Sequence, residues 1–163
     1  MIGRSVLPAV AFVLASATGA FASTSIVKWR PWISIETPVN PYDPTARGAT
    51  MLVHATFREG PARLSDVSGS AEGIVDGIRR TIPLRFDSTG QPSVFALRRQ
   101  WPTEGAWLVR ISVRSTTAIV TLDHAGDVAA VRVPTALSNG GDRLPRAVAA
   151  KEIDSTLAEV AKR

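Results

Sequence analysis

Two histidines, His54 and His124, and the one methionine after the initiator, Met51, are the side chains through which this 163-residue chain could hold a transition metal. Two imidazoles and a carboxylate suffice for such an ion when a fold unites them. Against that, His54 is one position in an alternating run, and His124 sits in a turn whose composition Asp123 and Gly126 already explain. Cysteine is absent, which removes thiolate ligands, thiolate nucleophiles and disulfides together. Serine and threonine are plentiful, yet none stands in a glycine-bounded nucleophile turn between a strand and a helix. A Ser-His-carboxylate triad is recognised by geometry, which residue order does not reveal. Glu59 and Glu104 each precede a glycine in a turn, the setting of solvated loop carboxylates more than of a general-acid pair. There is no glycine-rich phosphate loop and no dinucleotide fingerprint, so no cofactor is expected and the chain reads as a non-enzyme.

Side chains suited to recognition are better represented. Trp107 alternates with apolar positions and is assigned to the core. Trp101 stands where a strand enters a turn, either capping the end of a sandwich or offering a ring to a partner. Trp29 and Trp32 flank Pro31; exposed, they supply rigid aromatic area for a partner, and otherwise they close the core as a lid. Arg98 and Arg99, with Arg79, Arg80, Arg85 and Arg110, form a basic sheet face if their strands are neighbours, and the forked guanidinium suits carboxylate or phosphate. The plainer reading pairs them with Glu72, Asp76 or Asp87. Candidate partner-binding residues are therefore Trp29, Trp32, Trp101, Arg98 and Arg99.

The compartment follows from the first residues. Arg4 supplies a positive end, residues 6–17 an apolar body, and Ala20-Phe21-Ala22 a small-x-small cleavage site, the three parts of an export signal over 1–22. The apolar body is interrupted by Ser16, Thr18 and Gly19 and falls short of the roughly 20 residues of a spanning helix. No later segment is long and apolar enough to span, so no transmembrane segment is expected after cleavage. Cleavage there leaves 18 of the 19 Lys and Arg and all 14 Asp and Glu, a formal charge of +4 against +5 for the whole chain. Arginines scattered among acidic residues do not make a nucleic-acid footprint, and none is expected as partner. The expected location is periplasmic or secreted.

The elements that position these residues are strands. Residues 23–47 read as an N-terminal strand, near 32–37, and a connector with Pro38, Pro41 and Pro44, which extend the chain and remove amide donors. Residues 48–135 read as a β-sandwich. In 50–57, Met51, Val53, Ala55 and Phe57 share one face and Leu52, His54 and Thr56 the other. A short strand is expected at 62–67, a break at Ser68-Gly69-Ser70, and then a strand running to a tight hairpin at Asp76-Gly77. Pro83 marks the next strand, 79–86, as an outer one. Residues 93–100 and 106–113 are expected to flank a reversal at Trp101-Pro102-Thr103-Glu104-Gly105. Beyond it Trp107, Val109, Ile111 and Val113 face the core, and Arg110, Ser112 and Arg114 face solvent. Strands at 117–122 and 128–133 complete seven to eight, the spacing of an all-β, immunoglobulin-like sandwich. Residues 136–163 form a linker and a C-terminal amphipathic helix, with Val148, Ile153, Leu157 and Val160 on one face, that either docks on the sandwich or projects from it.

Three stretches carry a resemblance: Ile82-Pro83-Leu84, the run from Thr89 through Gly90, Gln91 and Pro92 to Phe95, and the run from Trp101-Pro102 through Gly105 to Trp107. With them, residues 50–113 resemble exported YtkA-like and CopC-like β-sandwich domains, in an outer strand, a Pro-x-x-aromatic entry and an aromatic-Pro-x-x-Gly-x-Trp hairpin. Relatives of this kind include carriers of copper and proteins that assist metal delivery and respiratory assembly. This chain departs from the copper carriers in exposing Ser23 where they begin with histidine, and in lacking a methionine-rich loop. The expectation is a non-enzymatic exported binding or assembly module acting on an envelope protein or a small ligand; the alternative is a periplasmic copper-handling accessory protein using His54, His124 and Met51.

Overall fold

Alternating apolar positions separated by glycine, proline and Asp-Gly turns give twelve strands and one helix in a computed structural model, which describes residues 30–162. The expected export signal over 1–22 and Trp29 lie outside the described residues. In chain order the strands are β1 (Trp32–Glu36), β2 (Met51–Phe57), β3 (Gly60–Pro61), β4 (Val67–Val75), β5 (Ile78–Pro83) and β6 (Asp87–Ser88). They continue as β7 (Val94–Leu97), β8 (Ala106–Val113), β9 (Thr116–Leu122), β10 (Val128–Arg132), β11 (Thr135–Leu137) and β12 (Arg143–Pro145), and the chain ends in helix α1 (Ala150–Val160). Eight strands have four or more residues, and these build an all-β sandwich.

One sheet has the order β1-β2-β7-β6, with β3 pairing onto β2; the other has the order β10-β9-β8-β4-β5; β11 and β12 pair by themselves. Neighbouring strands run antiparallel. The period of two sends Ile33, Met51, Val53, Ala55, Phe95 and Leu97 from the first sheet against Trp107, Val109, Ile111, Val113 and Val120 from the second. The β4–β5 hairpin turns at Asp76 and Gly77, both at positive φ (51° and 74°), as a two-residue hairpin requires. β5, which ends at Pro83, is an edge strand as expected.

Three local expectations are corrected. Residues 64–66 form a 3-10 turn (Leu64–Asp66) where a strand was expected, because the Asp66 carboxylate accepts from Arg63 N at 2.9 Å and closes the turn. Ser68-Gly69-Ser70 does not break the chain but lies within β4, where the missing Cβ of Gly69 makes room for the Phe86 ring. Residues 93–113 are not a hairpin: β7 belongs to the first sheet and β8 to the second, so 98–105 carry the chain across the sandwich. Trp101 drops between the sheets during that crossing. Gly105 is at φ 89°, and a Cβ there would lie 2.6 Å from the Ile74 carbonyl oxygen, so close approach to β4 requires glycine.

Both outer sheet faces are covered over part of their area. Leu52, Val94 and Ala96 on the first sheet pack under Ala46, Val39 and Ala49 of the proline-rich connector. Leu108 and Ile119 on the second pack under Ile153 and Leu157 of α1, so the helix docks. An isolated helix of 11 residues is marginal in water, and this one depends on its apolar face. Its start is completed by Glu152, which accepts from Ala149 N at 3.2 Å and from both Arg146 guanidinium nitrogens at 2.7 and 2.6 Å.

Candidate functional site

The metal set expected from sequence is not assembled. Met51 and His54 lie three residues apart on one strand and therefore point to opposite faces: Met51 is wholly buried between the sheets, whereas His54 looks outward. His54 Nε2 lies 2.9 Å from Glu36 Oε2 on β1. His124 is exposed in the turn joining β9 to β10, in the other sheet. Among the described residues no three His, Asp or Glu side chains gather to hold an ion.

Trp101 is not a surface ring. It is 3% exposed, belongs to the central core, and donates its indole N–H to the Gly126 carbonyl at 2.9 Å. The crossing chain has to bury its largest side chain where the sheets meet, and the β9–β10 turn supplies the acceptor. Arg99 reinforces the same junction, donating to the Ala125 carbonyl at 2.7 Å and the Trp101 carbonyl at 3.3 Å. Arg98 bonds Asp87 and donates to the Arg47 carbonyl at 3.2 Å, holding the connector against β6. Both arginines have structural partners.

Of the charge pairs named as the plainer reading, those to Glu72 and Asp87 are present. Glu72, 5% exposed on the outer face of β4, accepts from Ser70 and Thr81 hydroxyls at 2.8 Å each and from Arg79 at 3.4 Å, with Arg110 at 3.9 Å. Burial alone pushes its carboxyl up; the hydrogen bonds from Thr81, Ser70 and Arg79 and the charge of Arg110 outweigh that and hold it below the ordinary value. Arg79 also bonds Asp154 of α1, so Glu72 is linked through Arg79 to the docked helix.

Among the described tryptophans Trp32 is the one on the surface, 54% exposed. It lies on β1, at the end of its sheet. The chain just before β1 is pinned: Thr116 donates to the Pro31 carbonyl at 2.7 Å, and Arg30 donates to the Pro145 carbonyl at 3.3 Å. With Ile33 in the core, alternation turns Trp32, Ser34 and Glu36 outward. Antiparallel register places Trp32 beside Thr56 and Ser34 beside His54. One outward surface thus joins an aromatic ring, two hydroxyls and the half-exposed imidazole–carboxylate pair.

Sequence reasoning missed one further gathering. Arg30, Arg58, Arg114 and Arg146 line a single cleft beside Phe57 and Glu59, although they are far apart along the chain. The one local sign is Arg114, an arginine at φ 50° in the two-residue β8–β9 turn. No helix among the described residues is long and apolar enough to cross a membrane. Comparison with protein-family models, with curated proteins and with solved structures gives no match for this chain.

Proposed function

We propose that the chain is a non-enzymatic exported binding or assembly module, periplasmic or secreted, that engages an envelope protein through Trp32 on strand β1. The carrying observation is the 54% exposure of Trp32 on an edge strand whose neighbouring residues are anchored to the opposite sheet. A large ring held on a rigid strand loses little conformational entropy on binding, and tryptophan is among the residues that dominate interface energies. The export features of residues 1–22 and the resemblance to YtkA-like and CopC-like domains belong to the same reading. Capture of envelope proteins by the purified chain, with Trp32→Ala run in parallel, tests it: a specifically captured protein lost on substitution supports the reading, and equal capture by a folded Trp32→Ala protein refutes it.

A further inference from the structure

A second cleft, of about 510 Å³, opens beside β5, where the 98–105 crossing passes the end of β4. Its floor is apolar: Val75, Ile82, Pro102 and the Trp107 ring. Two glycines shape it. A Cβ on Gly73 would lie 2.4 Å from Trp107 ring carbons, so glycine lets the ring lie against β4, and Gly105 brings the crossing chain up to the same strand. The Trp107 indole donates to the Glu104 carbonyl at 2.7 Å, which ties the loop to the floor. Glu104 and Arg80 line the cleft with opposite charges. Arg80 is registered with Gly73 and therefore shares the inward face of the sheet, on which Ala71 is core. Both side chains are exposed, and among the described residues neither has a hydrogen-bond or ion-pair partner. Arg79, one residue earlier on the outward face, meets both Glu72 and Asp154.

We propose that this cleft binds a small zwitterion with an apolar body, the chemistry that a free amino acid and a dipeptide with unblocked ends both supply. The inference goes beyond the Trp32 reading: Trp32 stands on the other sheet, and neither site needs the other. The Arg80 fork takes a carboxylate in two parallel hydrogen bonds, the Glu104 carboxylate takes an ammonium, and the floor covers the apolar body. A cation and an anion that do not satisfy each other select a ligand carrying both charges. A lone anion brings like charge toward Glu104, and a lone cation brings it toward Arg80. The volume falls in the range of small-molecule sites, which is about 300–1,000 Å³.

Leucine and leucyl-leucine titrated into the ¹⁵N-labelled protein, beside N-acetyl-leucine and leucinamide, which each keep one of the two charges, test the proposal. Saturable shifts confined to the Trp107 indole N–H and the amides of Val75, Arg80, Thr81, Ile82 and Glu104 are expected with a zwitterion, at least fivefold tighter than with either blocked compound. Saturable binding of leucine or of leucyl-leucine supports the proposal, and the tighter of the two names the source. Arg80→Gln should weaken N-acetyl-leucine and leave leucinamide unchanged, Glu104→Gln should do the reverse, and each should weaken the zwitterion at least fivefold. A general loss of structure does not produce that crossed pattern. Both positions are exposed, and thermal melts identify a variant that fails to fold, the other then carrying the comparison. Shifts that do not saturate, blocked compounds bound as tightly as the zwitterions, or variants that weaken every ligand alike overturn the proposal. So does absence of binding together with self-association of Arg80→Gln, which assigns the inward arginine to guarding the edge of β5.

Discussion

Truncating two tryptophans in parallel separates the structural role of one from the surface role of the other. Trp101 is 3% exposed and Trp32 is 54% exposed. With roughly 200 Å² per tryptophan at about 25 cal/mol per Å², burying nearly all of the ring is worth about 5 kcal/mol and burying under half about 2 kcal/mol. Those figures use an extended reference chain and are upper values. Trp101→Ala also leaves the Gly126 carbonyl without its indole donor, worth about 1 kcal/mol or more. A net cost of about 4–5 kcal/mol for Trp101→Ala fits the usual range for a core tryptophan, against about 1–2 kcal/mol for Trp32→Ala. At about 3–4 °C per kcal/mol for a chain of this size, the melting temperatures should fall by about 15 °C and about 5 °C. Circular-dichroism melts read both, and envelope capture at a temperature where both variants are folded reads function. Trp101→Ala should retain capture in proportion to its folded fraction, whereas Trp32→Ala should lose it. Equal melting losses would refute the burial argument, and capture lost only with Trp101 would invert the assignment of roles.

Gly73→Ala directs a Cβ to 2.4 Å from two ring carbons of Trp107, itself buried, so overpacking should cost about 1–3 kcal/mol, near the upper end, measured by urea denaturation. Leu157→Ala removes a side chain 2% exposed beneath α1; a loss of about 2–4 kcal/mol and faster amide exchange across Ala150–Val160 are expected, and unchanged exchange would contradict docking. Glu152, held at about 2 first by Arg146 and then by the Ala149 amide, and Glu72 both have carboxyl values below the ordinary one. A group depressed in the folded state stabilises above its unfolded value and loses that contribution as pH falls through the folded one. The contribution of Glu152 should therefore be constant above pH 4.5 and decline toward pH 2, and Glu152→Gln should flatten the acid limb of a melting-temperature profile.

The parts of the fold that could be read from residue order are those set by local periodicity. Met51, Val53 and Ala55, or Trp107, Val109, Ile111 and Val113, declare a buried face by alternation, and Asp76-Gly77 declares a hairpin by its backbone demands. The destination of a connection is not local. Residues 98–105 have a length and a proline–glycine content that serve a hairpin and a crossing equally, and what sends β8 to the other sheet is its pairing with β4 across Val67↔Val113 to Ile74↔Ala106. Covers on the outer faces left a fainter sign: Leu52, Val94 and Ala96, and likewise Leu108 and Ile119, place apolar groups on faces otherwise read as mixed or solvent-facing. An apolar stripe on α1 and an apolar pair on the outer face of β8 and β9 are two halves of one contact, each without a reason when taken alone.

Candidate sites were harder for the same physical reason carried further. A core position repeats every second residue along one strand, but a cleft is assembled from single residues of strands that meet only after folding. Arg30, Arg58, Arg114 and Arg146 share no spacing, and Arg98 with Arg99, adjacent in sequence, point to different jobs because consecutive strand-end residues leave the chain in opposite directions. The same alternation separates His54 from Met51 on one strand and leaves Trp32 outside while Ile33 is in. Proximity in sequence is therefore evidence against a shared site on a strand unless the separation is even. By that rule Trp32, Ser34 and Glu36 form a usable surface, and the odd-spaced Met51–His54 pair does not form a metal site.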